Sequence, residues 1–183
     1  MLNFKLSLLA LGIFASMAAI IFAHSIIFPL PPAPLGVVGQ WASEYSYPIG
    51  GTVIKVQSLA KFHRKGKYSV SGAITVEGSV DQKHYRFTYD ALGEGSWTTE
   101  DQRLSINLND LKTTPRTLNF WGYEISPLLV TKLTGLPVPT LNDAYPEGMS
   151  DDLTLLSVAP DTISLGVIDP SGNPFIIQMH RRL

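Results

Sequence analysis

The chain has 183 residues, 14 Lys and Arg against 15 Asp and Glu for a formal net charge of −1, and no cysteine. The balanced charge leaves no basic surplus for neutralising nucleic-acid phosphates, so no nucleic-acid partner is expected. The missing cysteine removes disulfides, thiolate metal sites, a Cys nucleophile and a lipid-modified N-terminal Cys. Mean hydropathy is +0.14, high for a water-facing chain. The excess is local, because 21 of the first 28 residues are apolar.

From Leu6 to Phe28 the chain runs 23 residues without a charge. As a helix, such a stretch spans roughly 34 Å, slightly more than the hydrocarbon core of a bilayer. Two readings fit it. One is an uncleaved transmembrane anchor over residues 1–28; the other is a signal peptide cleaved at the small-x-small site Ser16-Met17-Ala18. The ten residues that follow Ala18 end in Ile26-Ile27-Phe28 and favour the anchor. Lys5 is the only cation preceding the segment. The positive-inside tendency then puts the N-terminus in the cytoplasm and the rest of the chain outside, as in a single-pass protein of the bacterial inner membrane facing the periplasm.

Pro29, Pro31, Pro32 and Pro34 cannot continue a helix and mark residues 29–38 as a stiff linker. From Gly39 onward, residues 39–183 read as one β-rich domain. Thr52–Gln57 is a predicted strand, and Arg64-Lys65-Gly66 a turn. In Lys67–Glu77, Tyr68, Val70, Gly72, Ile74 and Val76 alternate with polar residues, the period of a half-buried strand. Gln82–Leu92 repeats the scheme with Tyr85, Phe87 and Tyr89 against His84, Arg86 and Thr88. Gly95–Thr99 and Arg103–Leu108 follow as two further strands about the Glu100-Asp101-Gln102 turn.

One short helix is predicted over Pro127–Thr134. Ser126 stands at its cap, Pro127 suits its first turn, Leu128, Leu129, Val130 and Leu133 form an apolar face, and Gly135 sits at the C′ position. Leu153–Val158 and Thr162–Ile168 are predicted strands, Asp169-Pro170-Ser171-Gly172-Asn173 is a turn, and Phe175–Arg181 closes the chain. Eight or nine consecutive antiparallel strands suffice for a closed barrel, which removes exposed sheet edges.

Catalytic signatures are weak, and no enzymatic activity is expected. Gly93-Glu94-Gly95-Ser96-Trp97 is not a nucleophile elbow and precedes no helix. His63 and His84 lie in neighbouring predicted hairpins without the spacing of a metal site. Glu100/Asp101 and Asp151/Asp152 fall in predicted turns. No cofactor and no metal is therefore expected. The aromatic residues are the candidate ligand-binding set: Trp41, Phe62, Tyr68, Tyr85, Phe87, Tyr89 and Trp97. In a barrel of about eight strands, inward side chains either fill the interior or leave room for one small ligand, so core packing and an amphipathic-ligand pocket both remain open.

Gly39-x-Trp41 at the start of the domain, Phe62-x-x-x-Gly66-x-Tyr68, and Gly95-x-Trp97 with Asp101-x-x-Leu104 resemble lipocalin-like barrels. With the single N-terminal anchor and the Leu-rich helix, the whole layout is similar to small inner-membrane accessory proteins of the ToxS/FidL type. The resemblance implies a mainly β, lipocalin-like periplasmic barrel, preceded by one transmembrane helix and carrying one short helix. It further implies that the barrel pairs with the periplasmic domain of a membrane-bound transcription activator and stabilises or modulates it. A bile-salt-like or lipid-like small molecule is implied for some members. The rival expectation is a stand-alone carrier or sensor of a hydrophobic small molecule.

Overall fold

The computed structural model describes residues 36–142 and 149–182. The expected anchor over residues 6–28 lies outside the described residues, and no helix among the described residues is long and apolar enough to cross a membrane. The elements are β1 (Gly39–Ile49), β2 (Thr52–Phe62), β3 (Lys67–Val80), β4 (Lys83–Glu100), β5 (Arg103–Phe120), β6 (Tyr123–Ile125), α1 (Pro127–Thr134), β7 (Met149–Val158), β8 (Thr162–Ile168) and β9 (Pro174–Arg182).

The protein is mainly β, and every strand pairing is antiparallel. Strands β1 to β5 form a meander, β7 to β9 form another, and the pairings β5–β7 and β9–β1 join them into an eight-stranded ring. Strand β6 adds to the far end of β5. Antiparallel pairing sorts the connections into two ends. Gly36, the C-terminus and the β2–β3, β4–β5 and β7–β8 turns share the N-terminal end. The β1–β2, β3–β4 and β8–β9 turns, with β6 and α1, share the distal end.

The ring closes fully only near the N-terminal end. Strand β1 pairs with β2 along its whole length but with β9 only over Gln40–Ser43. Likewise β5 pairs with β4 throughout but with β7 only over Arg103–Leu108. Two cores result. The first, inside the closed part, holds Trp41, Phe62, Trp97, Leu104 and Ile163, all at most 2% exposed. The second lies against the curved distal half and holds Ile49, Ile54, Val76, Tyr89 and Leu141.

The predicted helix stands as expected over Pro127–Thr134, with Gly135 left-handed at φ 69° and its N–H bonded to the Thr131 carbonyl. Ser126 makes no side-chain capping bond, and none of the helix residues is buried, so the expected apolar face is not turned into a core. Val37, in the proline-rich stretch, is fully buried and belongs to the first core.

Four expectations need correction. Gln82–Leu92 and Gly95–Thr99 are not separate strands but parts of β4, and Gln82 itself lies in the preceding turn at φ 64°. Gly93 and Gly95 both lie within the strand. A Cβ on Gly95 would stand 1.9 Å from the Asn107 carbonyl oxygen, beside a register shift at Glu94/Gly95. Such a kink lets a sheet curl into a ring. Strand β5 does not stop at Leu108 but runs on to Phe120, with Pro115 opposite Tyr89 at the second register shift, a position where a missing N–H is tolerated. Asp151 and Asp152 stand in β7 opposite Ile106 and Ser105, not in a turn. Thr88, expected on the polar face, is buried and lies 3.3 Å from Thr75, hydroxyl to hydroxyl.

Candidate functional site

The ring divides the seven aromatic candidates between its two cores. Trp41, Phe62, Tyr68 and Trp97 meet in the first, with ring centroids 5.1 Å apart for Phe62 and Tyr68 and 5.4 Å for Phe62 and Trp97. Trp97 donates its indole N–H to the His63 carbonyl at 3.0 Å, and Trp41 donates to the Val37 carbonyl at 2.8 Å. Both polar tips are therefore satisfied by the backbone while the rings fill the interior. Tyr85, Phe87 and Tyr89 belong to the distal core, where Phe87 lies 5.1 Å from Tyr85 and 4.8 Å from Phe120. Tyr85 and Phe87 are only half-buried. His63 and His84 do not meet, since His63 lies in the β2–β3 turn and His84 at the start of β4, at opposite ends.

One charged group interrupts the interior face. Along β7, Asp151 shares the face of Leu153 and Leu155, and its charge acts on Tyr68. Surrounding protein raises the Asp151 carboxyl above its ordinary value, and the neighbouring Asp152 carboxylate adds to the effect, although the residue keeps solvent contact. Burial, and then the Asp151 charge, push the Tyr68 phenol upward. Asp152 faces the other way. It accepts from the Ser105 hydroxyl and stands 3.9 Å from Arg103.

Two clefts on the described surface are open rather than enclosed. One of about 510 Å³ is walled by Glu100–Arg103 and Asp152–Thr154, and one of about 350 Å³ lies outside the sheet near Leu59, Leu92 and Lys112. Neither is an apolar chamber inside the ring. No group of three or more His, Asp or Glu suited to a metal occurs among the described residues.

What the distal end offers is exposed apolar surface. In the segment leaving β5, Trp121 is 59% exposed, Tyr123 74%, Leu128 62%, Leu133 77% and Leu136 68%. Trp121 occupies the left-handed region at φ 58° in the two-residue β5–β6 loop, and Lys83 lies 4.3 Å over its ring. The loop thus presents the indole at the surface. A second exposed set, Leu156, Ile168 and Ile176, lies on the outer wall of β7 to β9, with Gly166 between Leu156 and Ile176.

Sequence reasoning did not single out Trp121, Tyr123 or Leu136. A usable signal was present in Phe120-Trp121-Gly122-Tyr123, where glycine follows an aromatic residue in a two-residue hairpin loop. No family model and no curated protein sequence matches the chain.

Proposed function

We propose that this is a membrane-tethered accessory protein of the ToxS/FidL type. In this reading, residues 6–28 anchor it in the bacterial inner membrane. Its lipocalin-like periplasmic domain binds a transmembrane transcription regulator through that protein's periplasmic domain, and by binding stabilises or modulates it. The observation that carries the reading is the contrast between a filled interior and an uncovered distal end. The closed half is packed with Trp41, Phe62, Trp97 and Leu104, while Trp121, Tyr123 and the leucines of α1 stand in solvent. Exposed apolar groups concentrated on one segment mark protein-interaction surfaces. Binding a folded partner domain then lowers the partner's unfolded population by mass action.

Co-purification of the full chain from native membranes tests the proposal. A transmembrane regulator is expected to accompany the natural chain and to be lost with Trp121→Ala/Leu133→Asp, and its abundance is expected to fall when the chain is deleted. A chain that carries no other membrane protein with it, and whose deletion leaves every transmembrane regulator at normal level, overturns the proposal.

A second reading rests on the half-buried wall of Tyr85, Phe87 and Phe120 in the distal half. It is a carrier or sensor site for an amphipathic, bile-salt-like or lipid-like molecule. Saturable binding of a bile salt to the purified chain, lost with Phe87→Ala, supports it. Binding only above the micellar concentration removes it.

A further inference from the structure

Between Glu44 and Glu77 the chain has no acidic residue but five cations, and four of these, Lys61, Arg64, Lys65 and Lys67, flank the β2–β3 turn. All four are exposed, and none makes an ion pair among the described residues. The turn that carries them is held in place. The His63 N–H bonds to the Lys67 carbonyl, the Gly66 N–H to the His63 carbonyl, and Trp97 donates its backbone N–H to Gly66 and its indole N–H to His63. Such a turn presents its charges at a constant position rather than on a loose loop.

Its position in the fold gives these charges a direction. Gly39 pairs with Phe62, so the turn projects from the same end at which the chain enters from residues 29–35. Acids at this end are spread over other elements: Glu94 in β4 across Ser69 from Lys61, Glu100 and Asp101 at the β4–β5 turn, Asp151 and Asp152 in β7 with Asp152 close to Arg103, and Asp161 at the β7–β8 turn. Arg182 adds a further exposed cation. At the distal end Asp81, Glu124 in β6 and Asp169 stand against Lys83 at the start of β4 and Lys132 in α1. The unpaired cations of this end are thus gathered mainly on one hairpin, while the distal end is apolar with mixed charge.

We propose that the β2–β3 hairpin is a contact surface for anionic phospholipid headgroups, which seats the domain with its N-terminal end on the bilayer and its distal apolar face away from it. This rests on the anchor reading above. Seven linker residues reach at most about 25 Å, while screening confines the field of a charged surface to roughly 8–10 Å. The tether therefore brings the hairpin within reach of the membrane without holding it there, and the hairpin's own charges decide the orientation. Each Lys or Arg near an anionic surface strengthens binding roughly fivefold, so four suffice to bias a tethered domain strongly. An upright seat leaves Trp121 and α1 clear of lipid and free to meet a partner domain.

The full chain, reconstituted into lipid nanodiscs, provides the test. Because the protein has no cysteine, a single dye can be placed by Gln102→Cys at the N-terminal end or by Ser171→Cys at the distal end, with an acceptor on the lipid headgroups. Energy transfer from Gln102→Cys is expected to rise when phosphatidylglycerol is added to phosphatidylcholine. It should return to the phosphatidylcholine level in high salt or with Lys61→Gln/Arg64→Gln/Lys65→Gln/Lys67→Gln, and with the milder Arg64→Glu/Lys65→Glu should the fourfold variant not fold. Transfer from Ser171→Cys should stay low throughout. Equal transfer in both lipid compositions, with the chain incorporated in both, overturns the hairpin proposal alone and leaves an acidic protein partner as the reading of these charges. A chain that enters neither kind of disc overturns the anchor reading, and the membrane seat with it.

Discussion

The Arg181 guanidinium lies 4.2 Å over the ring of Trp41. From there it donates to the carbonyls of Gly36 at 3.0 Å and Val38 at 3.1 Å, and to that of Pro160. One side chain near the C-terminus thus ties the segment entering the domain to the β7–β8 turn, over the most deeply buried indole of the core. The arrangement requires a glycine beside it, because a Cβ on Gly39 would stand 2.4 Å from the guanidinium. Charge-assisted hydrogen bonds and a partly desolvated cation–π contact are among the stronger single interactions.

Arg181→Ala is therefore expected to lower stability in urea by about 2–3 kcal/mol. Arg181→Lys should recover less than half of this, since an ammonium cannot reach three separated carbonyls with the planar fork of Arg. Equal stability of Arg181→Lys and the natural chain would show that only the charge matters.

The kink in β4 supplies a second prediction. At Gly95 the added Cβ meets backbone, the Asn107 carbonyl, whereas at Gly93 it meets the ends of Val70, Leu108 and Leu111 side chains, 2.9 Å away at the nearest. Side chains can shift and backbone in a paired strand cannot. Gly95→Ala should cost more than about 3 kcal/mol or prevent folding, and Gly93→Ala about 1–2 kcal/mol. Thermal unfolding of the two variants decides it, and the reverse order would refute the assignment of the bend to Gly95.

The distal core depends on a hydrogen-bonded latch. The Thr113 hydroxyl donates to Asn142 Oδ1 at 2.9 Å and accepts from the Leu141 N–H at 2.7 Å, and Asn142 Oδ1 also accepts the Thr113 N–H at 2.6 Å. Leu141 is thereby held 4% exposed among Ile49, Ile54 and Tyr89. Thr113→Val keeps the shape, removes both hydroxyl bonds and leaves the Leu141 N–H unsatisfied, at a cost of about 1–3 kcal/mol. Leu141→Ala should cost about 2–5 kcal/mol. Faster amide exchange at Leu141 in Thr113→Val, with exchange in the first core unchanged, is the expected signature.

Two carboxyls give opposite responses to pH. Asp169 accepts from the backbone N–H groups of Asn173 and Ser171 and from the Asn173 side chain. The Asn173 bond, foremost, holds its pKa below the ordinary 3.8. A depressed folded pKa contributes stability that is complete above the unfolded value and is lost as pH falls through the folded one, so Asp169→Asn should destabilise at neutral pH and flatten the loss of stability below about pH 4. Asp151 is raised instead, by desolvation and then by Asp152. Its charged form opposes folding above the unfolded value, so Asp151→Asn should stabilise at pH 7 and make little difference at pH 3. Parallel acid titrations of the two variants by circular dichroism separate the effects.

Much of the chain announces its local structure. Alternation in Lys67–Glu77 marked one buried face, the Ser126-Pro127 start and Gly135 bounded α1, and Asp169–Asn173 formed the expected turn, because each depends on neighbours within a few residues. The pattern failed where tertiary contact overrules local preference. Gln82–Leu92 and Gly95–Thr99 read as two strands, but β4 runs through both, and Gly95 is required where it passes close to β5. The strand predicted to end at Leu108 runs on to Phe120, and Pro115 sits within it at a register shift where its missing N–H costs little. The aromatic candidates formed one set in the sequence, yet strand register sends Trp41, Phe62, Tyr68 and Trp97 into one core and Tyr85, Phe87 and Tyr89 into another.

The sequence by itself determined the strand-rich class, the short helix, the absence of thiol chemistry and the separation of an apolar first segment from a less apolar remainder, since these follow from composition and short-range periodicity. Only the tertiary structure decided which faces stay uncovered. The leucines of α1 have the pattern of a core-facing helix, but the ring had already filled its closed interior with Trp41, Phe62 and Leu104, and Leu141 serves the distal core. An apolar stripe specifies that a face be buried, not what buries it, and here the described residues of the domain leave that place open.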